Sequence, residues 1–163
     1  MDKLSSVKIK ILAGEELSRT LAFWRFKDFQ VVFTNGCFDI LHRGHIEYLA
    51  QAASLGDILI IGLNSDASVR RIKGESRPVQ DEQTRALVLA SLQFVSAVVL
   101  FHEDTPFNLI SLVQPDILVK GADYKPEEII GYDIVTAKGG KVITIDMVEG
   151  QSTTAILNKI SKK

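Results

Sequence analysis

The chain has 163 residues, of which 46% are hydrophobic and 24% charged, a balance that is typical of one globular domain with its own core. Nineteen basic against 20 acidic residues leave a formal net charge of −1, so there is no general positive field for nucleic acid or an anionic membrane. Cys37 is the only cysteine, which excludes an intrachain disulfide scaffold.

Hydropathy along the chain gives no sign of a membrane or secretory segment. The longest apolar run, Ile58–Ile61, is far shorter than the roughly 20 residues that span a bilayer. The first ten residues are mixed and charged, without the apolar region of a signal peptide. We therefore expect a cytoplasmic protein that forms a single domain over residues 1–163 and binds neither nucleic acid nor membrane.

Helix-like and strand-like patterns alternate from the N-terminus onward. Leu17, Leu21 and Trp24 repeat at helical spacing, which predicts an amphipathic helix over about 15–28. Short apolar runs then predict five strands, at residues 31–33, 58–61, 98–100, 117–119 and 142–145. Helices are predicted between and after them, at residues 44–55, 81–93, 106–113 and 153–160.

The alternation of these elements predicts the fold class. Continuously apolar strands are typical of a sheet buried on both faces, and helices between strands imply right-handed crossovers. We therefore predict an α/β fold, a doubly wound, Rossmann-like parallel sheet of five strands in a three-layer α/β/α sandwich. Ligands of such sheets bind outside the carboxyl ends of the strands. Residues 64–80, rich in charge, glycine and proline, are predicted to form a loop that is long enough to be a mobile lid.

The first predicted strand leads into His42-Arg43-Gly44-His45 at the start of a helix. A spacing of three residues puts both imidazoles on one side of the first helical turn, and Gly44 lets another group approach the backbone closely. The helix N-terminus adds free N–H groups that suit a phosphate. Two imidazoles at that point can donate hydrogen bonds to phosphoryl oxygens as charge develops. The segment therefore predicts a site for phosphoryl chemistry.

Other interpretations of this region are weaker. Cys37, Asp39, His42 and His45 are conceivable zinc ligands, but their spacing matches no compact zinc module, and we predict no metal site. No Gly-x-Gly-x-x-Gly follows a strand, which argues against a dinucleotide-binding dehydrogenase. The absence of Gly-x-x-x-x-Gly-Lys-Ser/Thr likewise argues against a P-loop kinase.

Polar residues also follow the fourth and fifth predicted strands. Ser152-Thr153-Thr154 opens the last helix; alone it would be an ordinary N-cap, but capping and phosphate binding use the same N–H groups, so both can hold. Lys120-Gly121-Ala122-Asp123 follows the fourth strand, where the glycine allows a flat ring to lie on the backbone. Asp123 is equally compatible with a simple turn.

Basic residues are frequent in and after the predicted loop. Arg70, Arg71, Lys73 and Arg77 lie close together in the sequence, and such a run is usually a solvated face. Beside a phosphate site, one or two of them can clamp a triphosphate. Arg85, on the helix that follows, is a further candidate.

The chain resembles the His-x-Gly-His nucleotidyltransferase superfamily and, within it, the heptose 1-phosphate adenylyltransferases. The likeness covers nearly the whole chain and rests on residues 33–42, 62–71, 77–79, 118–124 and 148–154. It implies conversion of ATP and D-glycero-β-D-manno-heptose 1-phosphate to ADP-heptose and pyrophosphate, for lipopolysaccharide core or another surface glycan. It also implies Mg²⁺ held mainly by the phosphates and a homodimer or higher homo-oligomer, for which Trp24 and Phe26 offer an apolar patch.

The resemblance further implies roles for individual residues. His42, His45 and Lys73 would be catalytic, and Asp39 would orient the loop rather than touch substrate. Nucleotide contacts, partly through the backbone, would come from Thr34, Asn35, Gly36, Cys37, Phe38, His42, Gly44, His45, Lys120, Gly121, Asp123, Ser152, Thr153 and Thr154. Further candidates for the sugar phosphate or the triphosphate are Asn64, Asp66, Arg77 and Arg85.

Two alternatives stay open. One is an enzyme like the glycerol-3-phosphate cytidylyltransferases, which uses CTP. Those enzymes carry an arginine where this chain has Met147 and a threonine where it has Cys37, and both differences argue against CTP. The other is a non-catalytic nucleotide-binding protein, against which the intact His42 and His45 argue.

Overall fold

The computed structural model describes residues 2–146, 150 and 152–161. In this part of the chain, five parallel strands form one sheet in the order β3-β2-β1-β4-β5. The strands are β1 (Val31–Gly36), β2 (Ile58–Asn64), β3 (Ala97–Phe101), β4 (Ile117–Gly121) and β5 (Lys141–Ile145). The predicted five-stranded parallel α/β fold is confirmed, and each strand includes its predicted run.

Helices cover both faces of the sheet. They are α1 (Lys3–Lys8), α2 (Gly14–Phe26), α3 (Arg43–Ala53), α4 (Asp66–Lys73), α5 (Glu82–Ala90), α6 (Phe107–Val113), α7 (Tyr132–Ala137) and α8 (Thr153–Ser161). A short 3₁₀ turn, Pro126–Glu128, precedes α7. None of the helices in the described residues is long and apolar enough to cross a bilayer.

The two faces of the sheet pack against different helices. Successive residues of a strand point to opposite faces, and β1 places Phe33 in the core beneath α2, α6 and α7 and its neighbour Val32 in the core beneath α3 and α5. Both side chains are fully buried. This two-sided burial explains why the strands read as continuous apolar runs, and it produces the predicted three layers.

The strand order determines where a ligand can bind. The chain runs outward from β1 through β2 to β3, then crosses back so that β4 lies on the other side of β1. The order therefore switches between β1 and β4, and a crevice opens at their carboxyl ends. The histidine motif follows β1, and Lys120 and Gly121 end β4, so both predicted segments lie at this switch point.

The prediction of a loop over residues 64–80 is wrong for half of its length. Residues Asp66–Lys73 form helix α4, in which the Ser65 hydroxyl caps the N-terminus by accepting from the N–H of Ser68. Val69 is fully buried on the inner face. Exposed basic residues dominate α4 and its apolar stripe is short. The hydropathy pattern of this segment therefore resembles that of a loop.

The predicted apolar patch at the end of α2 is wrong for Trp24. Its side chain is only 9% exposed and packs in the same core as Leu17 and Leu21. Phe26 is 82% exposed, and Phe23 is also exposed. The tryptophan therefore anchors α2 to the sheet.

Leu21→Ala is expected to lower the free energy of unfolding by about 2–5 kcal/mol, because a fully buried side chain leaves a cavity. The change is measured by urea unfolding followed by circular dichroism. Ser18→Ala, at an exposed position of the same helix, is the control and should shift stability by less than about 0.5 kcal/mol. Equal effects of the two variants would contradict the docking of α2 on the core.

Candidate active site

A cavity of about 590 Å³ lies at the carboxyl ends of the strands. Its walls come from the ends of β1, β2 and β4, the first turns of α3 and α8, and the end of α4. The residues predicted from the sequence that line it are Asn35, Gly36, Cys37, Phe38, His45, Asn64, Lys73, Arg77, Lys120, Gly121, Asp123, Ser152, Thr153 and Thr154. The fold therefore brings together segments from five separate parts of the sequence.

The two histidines of the motif stack on each other. His42 is the N-cap residue of α3 and His45 lies in its first turn, with ring centroids 3.8 Å apart and ring planes at 23°. Phe38 meets His45 edge-on at a centroid distance of 5.3 Å. The Nδ1 atoms of both histidines are buried and have no hydrogen-bond partner among the described residues.

Burial and mutual proximity keep this pair neutral. Burial, together with the neighbouring His42, lowers the pKa of His45 to about 4. Burial also lowers the pKa of His42 below its ordinary value. Both rings are therefore uncharged near pH 7, and an anionic group placed against them would favour their protonation.

A tight turn carries the chain from β1 to the histidine motif. Phe38 has a positive φ of 43°, and a Cβ on Gly36 would lie 3.0 Å from the Phe38 ring. A side chain at position 36 would therefore press on the ring that folds back over the end of the strand. This arrangement leaves the backbone of residues 36–38 facing the cavity.

Asp39 holds a second loop against this turn. Its side chain is 1% exposed and accepts hydrogen bonds from Arg77 Nε at 2.6 Å, Val79 N at 2.9 Å and Gln80 N at 3.0 Å. Burial alone would raise the pKa of Asp39, but these backbone N–H groups and the Arg77 guanidinium hold it below its usual value. Asp39 thus places Arg77 at the cavity wall.

Arg85 and Asp66, two of the candidates for the sugar phosphate or the triphosphate, bind each other outside the cavity lining. The Arg85 side chain is 0% exposed, and its three nitrogens donate to Gln80 O at 3.0 Å, Cys37 O at 2.6 Å and Asp66 Oδ1 at 2.7 Å. All donor nitrogens are thus engaged inside the protein. Neither Arg85 nor Asp66 lines the cavity, so this pair braces the site from behind.

Three basic side chains line the cavity itself: Lys73, Arg77 and Lys120. Burial lowers the pKa of Lys120 to about 8, against the opposing effect of Asp123. The Lys120 ammonium also lies 5.9 Å from the centre of the Tyr124 ring. Arg71 instead pairs with Asp104 in an exposed ion pair at 2.7 Å, as expected for a solvated face.

Thr34, His42 and Gly44 are close to the cavity but are not among its lining residues. Thr34 is fully buried, and its hydroxyl lies 2.8 Å from the Tyr48 hydroxyl, which joins β1 to α3. Burial raises the pKa of Tyr48 to about 12. The Thr34 side chain therefore braces the histidine helix instead of facing a ligand.

Sequence reasoning missed one wall of the cavity. This part of the lining contains the apolar residues Ile72, Pro106, Tyr124, Ile129 and Ile130, together with the polar residues Asp104, Thr105 and Glu128. Tyr124 and Ile130 are exposed although they are large and hydrophobic. Exposed apolar groups around a concave site are a signal for ligand binding, but a sequence does not reveal which apolar residues remain exposed.

The described residues contain no cluster of three or more histidine, cysteine, aspartate or glutamate side chains that could hold a metal ion. Asp39, one of the conceivable zinc ligands, is occupied by Arg77 and the backbone of residues 79–80. Met147, which bears on the choice between ATP and CTP, lies outside the described residues.

A parallel sheet with paired histidines at the helix tip beyond its central strand defines a nucleotidyltransferase of the His-x-Gly-His class. The family model described as cytidylyltransferase-like matches residues 33–158. The chain belongs to the cytidylyltransferase-like family of nucleotidyltransferases, and the resemblance stated from the sequence is confirmed at this level.

Curated relatives include the bifunctional protein HldE of Rhodopseudomonas palustris strain BisA53, 54% identical over 90% of this chain. HldE of Campylobacter concisus is 56% identical over 93% of it. The chain spans about a third of the length of these relatives, since it covers 30% and 31% of them.

The expectation that the chain forms a single domain over residues 1–163 stays a prediction.

Solved structures show the same fold. A lipopolysaccharide core biosynthesis protein from Thermoplasma volcanium matches with a TM-score of 0.64 and 31% identity, over 74% of this chain and 99% of that one. A pantoate-beta-alanine ligase from Francisella tularensis, in complex with an ATP compound and beta-alanine, matches with a TM-score of 0.58 over 94% of this chain and 78% of that one. At 17% identity, the second likeness shows the fold alone.

Arg85→Met is expected to destabilise the protein by about 3–5 kcal/mol, because it leaves Asp66 and two carbonyl oxygens without their buried partner. Urea unfolding measures the loss. Arg19→Met, which removes an exposed ion pair with Glu15, is the control and should cost less than about 1 kcal/mol. If Arg85→Met proved as mild as its control, Arg85 would not brace the site.

Proposed function

We propose that the protein is an adenylyltransferase that converts ATP and D-glycero-β-D-manno-heptose 1-phosphate to ADP-heptose and pyrophosphate. The observation that carries the proposal is the stacked His42–His45 pair at the tip of α3, beside a cavity that also holds three basic side chains. The long, ordered set of matching segments and the HldE relatives support heptose 1-phosphate as the acceptor. The lipopolysaccharide core protein of related structure is consistent with this product.

The reaction needs no enzyme nucleophile. An oxygen of the sugar phosphate attacks the α-phosphorus of ATP, and pyrophosphate leaves in line with it. The protein's task is to position both substrates and to neutralise developing charge. His42 and His45 donate hydrogen bonds to the α-phosphoryl oxygens, and Mg²⁺ enters as part of the MgATP substrate.

The remaining assignments follow the resemblance, and the presence of these residues in the cavity lining supports them. The backbone of residues 36–38 lies beside the α-phosphate and ribose, and Ser152 to Thr154 offer hydroxyls and the first N–H groups of α8 to the triphosphate. Lys73 and Arg77 neutralise phosphate charge. Gly121 and Asp123 border the adenine.

We further propose that the protein is a cytoplasmic homo-oligomer.

His45→Ala is expected to lower kcat for pyrophosphate release by about 10²–10³-fold, because one hydrogen-bond donor to the developing charge is removed. ATP affinity should change much less. His102→Ala, at an exposed histidine that does not line the cavity, is the matched control and should retain full activity. A fully active His45→Ala enzyme would refute the proposed role of the motif.

Binding of ATP is expected to draw protons onto the histidine pair. Free His45 has a pKa of about 4 and that of His42 is also lowered, whereas contact with phosphates favours the charged rings. The complex then holds protons that the free protein lacks, so affinity should rise as pH falls from neutral toward the free His45 pKa of about 4. Calorimetry in buffers of different ionisation enthalpy measures the uptake.

The variant His42→Gln/His45→Gln provides the control for protons taken up by ATP itself. Its pH slope should be shallower than that of the wild type. Equal slopes would mean that the imidazoles do not meet the phosphates.

The nucleotide is tested by competition. With heptose 1-phosphate present, ATP should support rapid pyrophosphate release and CTP should not. Preference for CTP would favour the cytidylyltransferase alternative, and absence of turnover with any nucleotide would favour a non-catalytic nucleotide-binding protein.

A further inference from the structure

Asn35 is a polar residue of the cavity wall whose amide oxygen has no partner in the described part of the chain. Asn35 lies near the carboxyl end of β1 and lines the cavity, and its Oδ1 atom is buried without a hydrogen-bond partner among the described residues. Buried carbonyl oxygens are nearly always paired, because leaving one unpaired costs free energy. A ligand in the cavity can supply the missing donor.

The position of Asn35 in the sheet determines which part of the cavity its side chain faces. It shares a face with Phe33, because a Cβ on Gly62 of the neighbouring strand would lie 2.8 Å from the Phe33 ring and 3.1 Å from Asn35 Cβ. Thr34, between them, points to the opposite face and contacts Tyr48 of α3. Asn35 and the histidine pair thus lie on opposite faces of the sheet, at two ends of one cavity.

The first turns of α3 and α8, whose free N–H groups suit a triphosphate, form the histidine end of the cavity. The tips of α3 and α8 lie together there, since the Thr153 hydroxyl donates to the carbonyl of Ile40 at 3.5 Å. At the opposite end, Lys120 shares the face of Asn35, because Leu118 pairs with Phe33 two residues earlier in each strand. Pro106, Ile129 and Tyr124 add an apolar lining to the same cavity. A nucleotide with its phosphates at the histidines leaves this end to the second substrate.

A carboxamide beside an apolar and aromatic wall suits a polyhydroxylated molecule. Its oxygen accepts from one hydroxyl and its NH₂ group donates to the next, while aliphatic and aromatic side chains pack against the C–H face of a sugar. We propose that the Asn35 side chain determines acceptor specificity by binding hydroxyl groups of the sugar. This inference rests on the proposed function, and it assigns the Asn35 side chain to the sugar.

The test uses Asn35→Leu, which replaces the amide by an apolar group of similar shape. We expect kcat/KM for heptose 1-phosphate to fall about 10–100-fold, because hydrogen bonds to hydroxyls are lost, while the Kd for ATP stays unchanged. The melting temperature should not fall, since the amide oxygen has no partner in the free protein. Asn108→Leu, at an exposed asparagine outside the cavity, is the matched control and should behave like the wild type.

Acceptor analogues that each lack one hydroxyl sharpen the test. The wild-type enzyme should discriminate against the analogue that lacks the hydroxyl bound by Asn35, and Asn35→Leu should lose that discrimination. Asn35→Ala, which removes the amide without adding bulk, provides the same comparison if the leucine variant does not fold.

The outcomes separate this inference from the proposed function. A wild-type enzyme that does not turn over heptose 1-phosphate refutes the proposed function. With an active wild type, an unchanged acceptor kcat/KM in both variants overturns the inference. A loss confined to ATP affinity also overturns the inference, because it would mean that the amide binds the adenine edge. A fall in melting temperature without an effect specific to the acceptor overturns it as well.

Discussion

The site depends on two buried charged residues that join segments far apart in the sequence. Arg85 connects the carbonyls of Cys37 and Gln80 to Asp66, and Asp39 connects the same two loops from the other side through Arg77 and two backbone N–H groups. Neither carboxylate nor guanidinium is replaceable by an apolar group without leaving a partner unpaired. Their joint effect is to fix the turn after β1 against the loop after α4, and so to place Arg77 at the cavity wall.

Within this frame the histidine pair has a defined chemical character. Stacking at 3.8 Å and burial keep both rings neutral in the free protein. Binding of an anion beside the rings therefore raises their affinity for protons. Neutral rings can donate from one nitrogen, and their buried Nδ1 atoms have no protein partner in the described residues. A site of this kind stabilises charge that develops during phosphoryl transfer without presenting a strong positive field beforehand.

The two faces of the sheet contribute different side chains to the cavity. Alternation along β1 sends Thr34 toward α3, where it braces the histidine helix, and Asn35 toward the wall that contains Tyr124 and Ile129. The switch in strand order between β1 and β4 opens the crevice in which both faces meet. The chain spans about a third of its HldE relatives, and the described residues nevertheless supply both ends of this cavity.

The sequence by itself determined the strands, the parallel sheet and the histidine motif, because these depend on local periodicity and on residue types at fixed spacing. It also predicted that Lys120, Ser152 and the histidines would meet, since parallel strands end at one edge. It did not distinguish Arg77, which lines the cavity, from Arg85, which is fully buried behind it. It also missed helix α4 and the burial of Trp24. Only tertiary packing decides which of several similar side chains is desolvated, because burial depends on neighbours brought together from distant parts of the chain.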